Sequence, residues 1–247
     1  MSLPDKTDPR LDTEYVREIA GSAERAPTTL VGVVHDHPAS VYRVKTVVGQ
    51  VEADVLALEL PPLAVPLFER YARDTQEPPR DGGEMSAAIQ ASEAPTVVGI
   101  DGPSPRFFTR LLHRMRNESL SPRATIRLAR DVSAGTATAL RCAVHGRILG
   151  HATRWMPRDR GHDHDIDRLA PPSRQAAHER ARIDRSRVAS RVLTSSPASD
   201  CLDRAREEQM VAELDRLRRT GSVIAVVGLA HLDRIASRLC DTTERNA

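Results

Sequence analysis

Hydrophobic residues gather in four short runs along the chain, and between those runs they recur at helical spacing. Leu30–Val34 is an apolar, Val-rich run bounded by polar residues, which predicts a buried strand of a parallel sheet. In the following "HPASVYRVKTVVGQVEAD", Val41, Val44, Val47, Val48 and Val51 fall on one helical face, with Ser40 as the expected N-cap. "DVLALEL", Asp54–Leu60, predicts a second strand, closed by Pro61 and Pro62, which have no N–H to continue a ladder. Leu63–Arg73 reads as a helix, "TQEPPRDGG" as a loop and "EMSAAIQAS" as a second short helix. "TVVGI" is the third strand, ending at Asp101 before the turn-forming "GPSP".

Strand, helix, strand, helix, strand is the order of right-handed crossovers in a parallel sheet. The pattern then changes. From Arg106 to about Leu149 the spacing is helical, through Leu128, Val132, Ala139, Ala143 and Ile148, with no strand-like run. Helices are expected again over Arg174–Leu193 and over residues 199–219, the latter with Leu202, Ala205, Met210, Leu214 and Leu217 as its apolar stripe. Gly221 ends that helix, "SVIAVVG" is the fourth strand, and His231 opens a terminal helix. The expected fold is α/β: a mostly parallel sheet with flanking helices and a helical insertion, at about residues 106–198, between the third and last strands. A single domain is expected over residues 29–247, preceded by a polar segment, residues 1–28, in which "DTEYVREIAGSA" predicts a short helix.

A chain of 247 residues can bury a substantial core, and with aromatics at 3% that core must be built from Leu, Val, Ile and Ala. Hydrophobic and charged fractions of 40% and 28% exclude wholesale disorder. The net charge of +2 conceals an asymmetry: Ser121–Leu193 holds fifteen Arg against seven acids, so the rest of the chain is net acidic. Such a surplus marks either a solvated helical face or a contact surface for an acidic partner or membrane phosphates. Cys142, Cys201 and Cys240 are isolated thiols in no C-x-x-C spacing, which argues against a disulfide framework or zinc knuckle and fits a reducing cytoplasm. The N-terminus has no apolar signal core, and no apolar run approaches the roughly 20 residues that span a bilayer.

Ligands of open α/β sheets bind beyond the carboxyl ends of the strands. Here three predicted strands deliver His35, Glu59 and His231 to that edge, and the fourth delivers Asp101. Two imidazoles and a carboxylate suit borderline divalent metals such as zinc, manganese, cobalt or iron, with positions left for water. "LVGVVHDHP" and "AVVGLAHLD" also share a glycine, Gly32 or Gly228, three residues before the His, where a missing side chain permits close approach. A lone strand-end His is commonly a hydrogen-bonded structural residue. The pairing of two, with Glu59 between them, carries the site reading.

Four stretches together resemble the TraB/PrgY family. "LVGVVHDHPASVYRVKTVVGQVEADVLALELPP" is similar to its opening, a strand ending in G-x-x-H, a helix, and a strand ending in glutamate. "GGEMSAAIQAS" is similar to its G-x-E-[ML] helix, "AREEQM" to its R-[DN]-x-x-M helix with Glu207 in the Asp/Asn place, and "VVGLAHLDRI" to its closing V-V-G-x-G-H segment. The wider group includes the Tiki proteases, erythromycin-esterase-like enzymes and ChaN-like haem-binding proteins. The resemblance implies a metal-dependent hydrolase acting on peptides, with site roles for His35, Glu59, Glu84, Arg206 and His231, and Gly32 and Gly228 shaping the strand ends. His35, Glu59 and His231 would hold a divalent metal (manganese, cobalt or zinc), or Glu59 would act as general base. Arg206 would stabilise an oxyanion or anchor a substrate carboxylate, and Glu84 would orient a histidine. Where the family has a D-R-P-like segment this chain has "DGPSP", with Arg106 nearest, and no C-terminal membrane helix follows. The alternative is a non-catalytic regulatory protein, of the pheromone-shutdown kind, that uses the same cleft to bind a peptide or small ligand.

Other candidates carry less. His37 reads as a neighbouring loop residue. "GHDHDID", with His162 and His164, has the composition of a weak metal-binding tract and lies in the insertion. Neither a P-loop nor G-x-G-x-x-G is present. Trp155 is the only aromatic of the Arg-rich stretch Ser121–Leu193, which disfavours base stacking, so no nucleic-acid partner is expected. Homo-oligomerisation and peripheral membrane contact stay open.

Overall fold

A computed structural model describes residues 8–118, 120–149, 161–192 and 196–244; Trp155 lies outside them. Five strands form one sheet in the order β1-β2-β5-β3-β4: β1 (Val16–Ile19), β2 (Thr28–Val33), β3 (Val55–Leu58), β4 (Thr96–Gly99) and β5 (Val223–Gly228). β2, β5, β3 and β4 run parallel, and β1 pairs antiparallel with β2 through Val16↔Val31 to Ile19↔Thr28. Among the described residues eight α-helices accompany them: α1 (Pro38–Val48), α2 (Val65–Tyr71), α3 (Gly83–Ala91), α4 (Pro105–Asn117), α5 (Pro122–Val144), α6 (Pro172–Val192), α7 (Pro197–Leu217) and α8 (Leu229–Glu244). The α/β class and the mostly parallel sheet agree with the pattern of apolar runs.

The N-terminal segment differs. "DTEYVREIAGSA" forms a 3-10 turn, Thr13–Tyr15, and then strand β1, where a helix was expected. Val16 and Ile19 are buried on the sheet and Tyr15 packs under the Arg43 guanidinium, so pairing with β2 decides the conformation over local spacing.

Helices cover both faces of the sheet, and strand alternation sorts the side chains between them. Leu30, Val55, Ala57, Val223, Ala225 and Val227 meet Met210, Leu214 and Leu217 of α7 and Leu232, Ile235 and Leu239 of α8. On the other face Val31, Val33, Leu56, Leu58, Ile224 and Val226 meet Val44, Val47 and Val48 of α1 and Met85 and Ala88 of α3. Each such buried aliphatic side chain contributes roughly 1.5–3 kcal/mol relative to exposure. Every residue of β2 and β5 is buried, which explains why both read as unbroken apolar runs.

Between β4 and β5 the regular elements of the described residues are all helical, joined by loops that include residues 161–171. Ser104, Ser121 and Ser196 each cap a helix, accepting from a backbone N–H three residues on, with Pro105, Pro122 and Pro197 at the first helical position. α4 and α5 pack on α7 through Phe107, Leu111, Leu128, Cys201 and Ala205. Along α5 only Leu128 and Ala139 are buried, and Arg123, Arg127, Arg130 and Arg141 stand in solvent, so much of the arginine surplus is a solvated helical face. α6 instead packs on α1, where buried Glu179 pairs with Arg43 and accepts from Ser40 Oγ at 2.5 Å. Among the described residues no helix is long and apolar enough to cross a membrane.

Candidate functional site

β5 comes last in sequence yet lies between β2 and β3, so the residues following these three strands share one edge of the sheet. His35 follows β2, Glu59 follows β3, and His231 sits in the first turn of α8 beyond β5. Glu59 occupies the centre. Its Oε2 accepts from Gly228 N at 2.6 Å, and its Oε1 lies 3.7 Å from His231 Nε2, beyond hydrogen-bond reach. A Cβ placed on Gly228 would stand 3.3 Å from Glu59 Oε2 and 3.4 Å from His35 Nε2, so the glycine keeps open the space between them. Gly32 serves packing instead. A Cβ there would meet Leu232 Cδ2 at 2.7 Å and Leu229 Cδ2 at 2.8 Å, so its absence admits α8 onto the sheet.

Each imidazole is braced from behind by a carboxylate. Glu84, in the first turn of α3, accepts from His35 Nδ1 at 2.7 Å; Glu207, on α7, accepts from His231 Nδ1 at 3.0 Å. A carboxylate only accepts, so both Nδ1 atoms carry hydrogen and the Nε2 atoms are the ones without a carboxylate brace. The bond to Glu84 raises the His35 pKa to about 9, against the smaller effect of burial. Burial lowers the His231 pKa, but the Glu207 bond and nearby Glu59 outweigh it and the net direction is up. The two sites differ in access: the His35 side chain is 46% exposed and that of His231 11%.

Arg206 reaches the same centre from α7. Its Nη2 donates to Glu59 Oε1 at 2.9 Å and to Asp101 Oδ2 at 2.7 Å, while Nε lies 3.1 Å from both Asp101 oxygens. Burial disfavours its charge, yet Asp101 and Glu59 more than compensate and hold its pKa above the usual arginine value. The guanidinium therefore faces inward, tied between two carboxylates, with Nη1 turned toward Asp203 at 3.9 Å.

Comparison with protein-family models, with curated proteins and with solved structures finds no match to the chain. The geometry itself gathers His35, Glu59, Glu84, Arg206, His231 and Gly228 in one place. Sequence reasoning gave no site role to Asp101 and Glu207. Asp101 was legible as the end of the third strand, and Glu207 as the neighbour of Arg206, but the pairing of each with its partner appears only in the fold.

His37 is not a loose loop residue. It, rather than Ser40, caps α1: its Nδ1 accepts from Ala39 N at 3.2 Å, and its fully buried ring meets His178 Nδ1 at 3.0 Å through Nε2. Burial first, then His164 and His178, lower its pKa to about 3, so it stays neutral. Ser40 Oγ accepts from Val34 N instead, at 2.8 Å. "GHDHDID" also proves to lie against the strand end, walling a polar pocket of ≈ 280 Å³ with Asp36, Gly82, Gly83, Arg80 and Arg168. A second pocket, of ≈ 400 Å³, runs along the free edge of β4 past Asp101.

A divalent ion fits the donors in type, since each imidazole has Nδ1 held by a carboxylate, the bracing that metal-ligating histidines need, and binding would displace the proton that Glu84 helps keep on His35 at neutral pH. Among the described residues no group of three His, Cys, Asp or Glu is arranged to hold a metal ion. Glu59 would have to exchange Arg206 for the ion.

Proposed function

We propose that this chain is a hydrolase of the TraB/Tiki-like type, with its reacting centre at His35, Glu59 and His231. The observation that carries the reading is the matched pair of braces, Glu84 on His35 and Glu207 on His231, which turn two Nε2 atoms toward one buried glutamate. The four stretches that resemble TraB/PrgY proteins contribute the same residues, and peptides are the substrate class the resemblance implies.

His35, His231 and Glu59 would hold a manganese, cobalt or zinc ion. Such an ion lowers the pKa of bound water to about 7 and supplies hydroxide at neutral pH. The chain's own groups do the rest. Glu84 and Glu207 fix both rings, Gly228 N–H anchors Glu59, and Asp101 holds Arg206 against it. Half-exposed His35 meets the incoming substrate, while deeper His231 stays fixed.

The test is titration calorimetry with manganese, cobalt and zinc, together with turnover of a peptide library, on the native protein and the His35→Ala, His231→Ala double variant. Native binding and turnover that the double variant loses are expected. Identical metal binding in both proteins would remove the reading. The second reading, a non-catalytic binder using the same cleft, is favoured by the capture of Glu59 Oε1 by Arg206, which sets a cation where a base would take up a proton. Turnover that requires both His35 and Glu59 would eliminate it.

A further inference from the structure

The segment "GHDHDID", sequence-distant from every other site residue, is bonded to the backbone that carries His35. His164 is buried, and its Nε2 lies 2.7 Å from the carbonyl oxygen of His35. A carbonyl only accepts, so His164 donates there, and its ring is held edge-on against the fixed ring of His37, 5.0 Å between centroids. Two residues earlier, His162 N donates to Asp36 Oδ2 at 2.8 Å.

Asp36 is the unusual residue of this stretch. Its φ of 59° places a non-glycine residue in the left-handed region, at a cost of order 1–3 kcal/mol that its surroundings must cover. They do so by wedging its carboxylate between two glycines of positive φ, Gly83 at 49° and Gly161 at 43°. A Cβ at Gly83 would fall 2.1 Å from Asp36 Oδ1, and one at Gly161 would lie 3.1 Å from Asp36 Cγ. This conformation aims Asp36 N at Glu84 Oε2, 2.8 Å away, while the other oxygen of Glu84 braces His35 Nδ1. Glu84 is thus oriented from both sides, and one of those sides exists only while Asp36 is held.

We propose that His164 and Asp36 are positioning residues: residues 161–164 clamp Asp36 and the His35 carbonyl, and through them fix Glu84 and the His35 ring. The insertion completes the site rather than decorating it. The positioning stands on hydrogen bonds alone; only its effect on turnover rests on the proposed function.

The experiment compares the native protein with His164→Ala, His164→Gln, Asp36→Ala and Asp36→Asn. The readout is exchange with water of the His35 Nδ1 proton, assigned by NMR against His35→Ala. Exchange is expected to quicken about tenfold in both alanine variants, the population change that follows loss of one net hydrogen bond. The Gln variant keeps an N–H for the carbonyl, and the Asn variant keeps an acceptor and tolerates positive φ, so both should recover most of the protection. The sheet amides of β2 and β5 report on folding in every variant, and the fold is expected to persist. Should turnover exist, the alanine variants should lower kcat with little change in KM. Native protection of the His35 proton in folded His164→Ala and Asp36→Ala would overturn the proposal. An absence of turnover in the native protein would sink the hydrolase reading and leave the exchange result standing.

Discussion

Removing Arg206 should destabilise the protein more than any other single truncation at the site, and the geometry sets the size. Its guanidinium touches Asp101 and Glu59 at 2.7 and 2.9 Å, and those side chains are only 9% and 3% exposed. With charge centres about 4 Å apart and an effective dielectric of about 20, each attraction is worth about 4 kcal/mol before solvation is subtracted. Arg206 is 29% exposed, so water screens part of this, and its own desolvation offsets more. What remains in Arg206→Ala is two buried carboxylates facing each other without a cation, the situation that costs about 3–5 kcal/mol. Urea unfolding followed by circular dichroism measures it: with a slope near 3 kcal/mol/M, the midpoint should fall by about 1–1.7 M at pH 8. Arg206→Lys keeps the charge but not the fork and should lose less. A midpoint shift below about 0.3 M would refute the central ion network as a source of stability.

Two further outcomes follow from buried groups near the strand ends. His37 is buried and neutral with its pKa near 3, against about 6.5 when unfolded, so the unfolded chain binds the extra proton in between. Stability is therefore intact above pH 6.5 and lost as pH falls toward 3, by about 2 kcal/mol between pH 7 and pH 5. His37→Asn preserves an N-cap acceptor and should flatten that part of the slope in urea midpoints at the two pH values, whereas an unchanged slope would contradict the neutral, buried assignment. The paired glycines should separate in effect: Gly32→Ala pushes on two leucine methyls and should cost about 1–3 kcal/mol in unfolding experiments. Gly228→Ala should leave stability nearly unchanged but abolish divalent-metal binding in calorimetry, because its methyl enters the space between Glu59 and His35. The reverse ranking would show that Gly32 does not serve packing and that Gly228 does not keep the site open.

Much of the molecule was legible in the sequence because it depends on spacing along the chain. The fully buried β2 and β5 read as unbroken apolar runs, and α1 and α7 as apolar stripes. Local pattern also placed His35, Glu59 and His231 at strand ends, where a parallel sheet presents its residues to ligands. Strand order is not a local property. Only the fold inserts β5 between β2 and β3, which carries His231 from the far end of the chain to Glu59. Pairing with β2 likewise made β1 a strand where local spacing predicted a helix. The carboxylate behind each imidazole, the capture of Arg206 by Asp101, and the clamp of residues 161–164 on Asp36 join groups separated by up to 129 positions. Such contacts depend on which surfaces meet when the sheet is wrapped, and hydrogen bonds between distant residues leave no periodic trace in a single sequence. The sequence determined which residues could do chemistry at this edge; the tertiary structure decided which of them face one another.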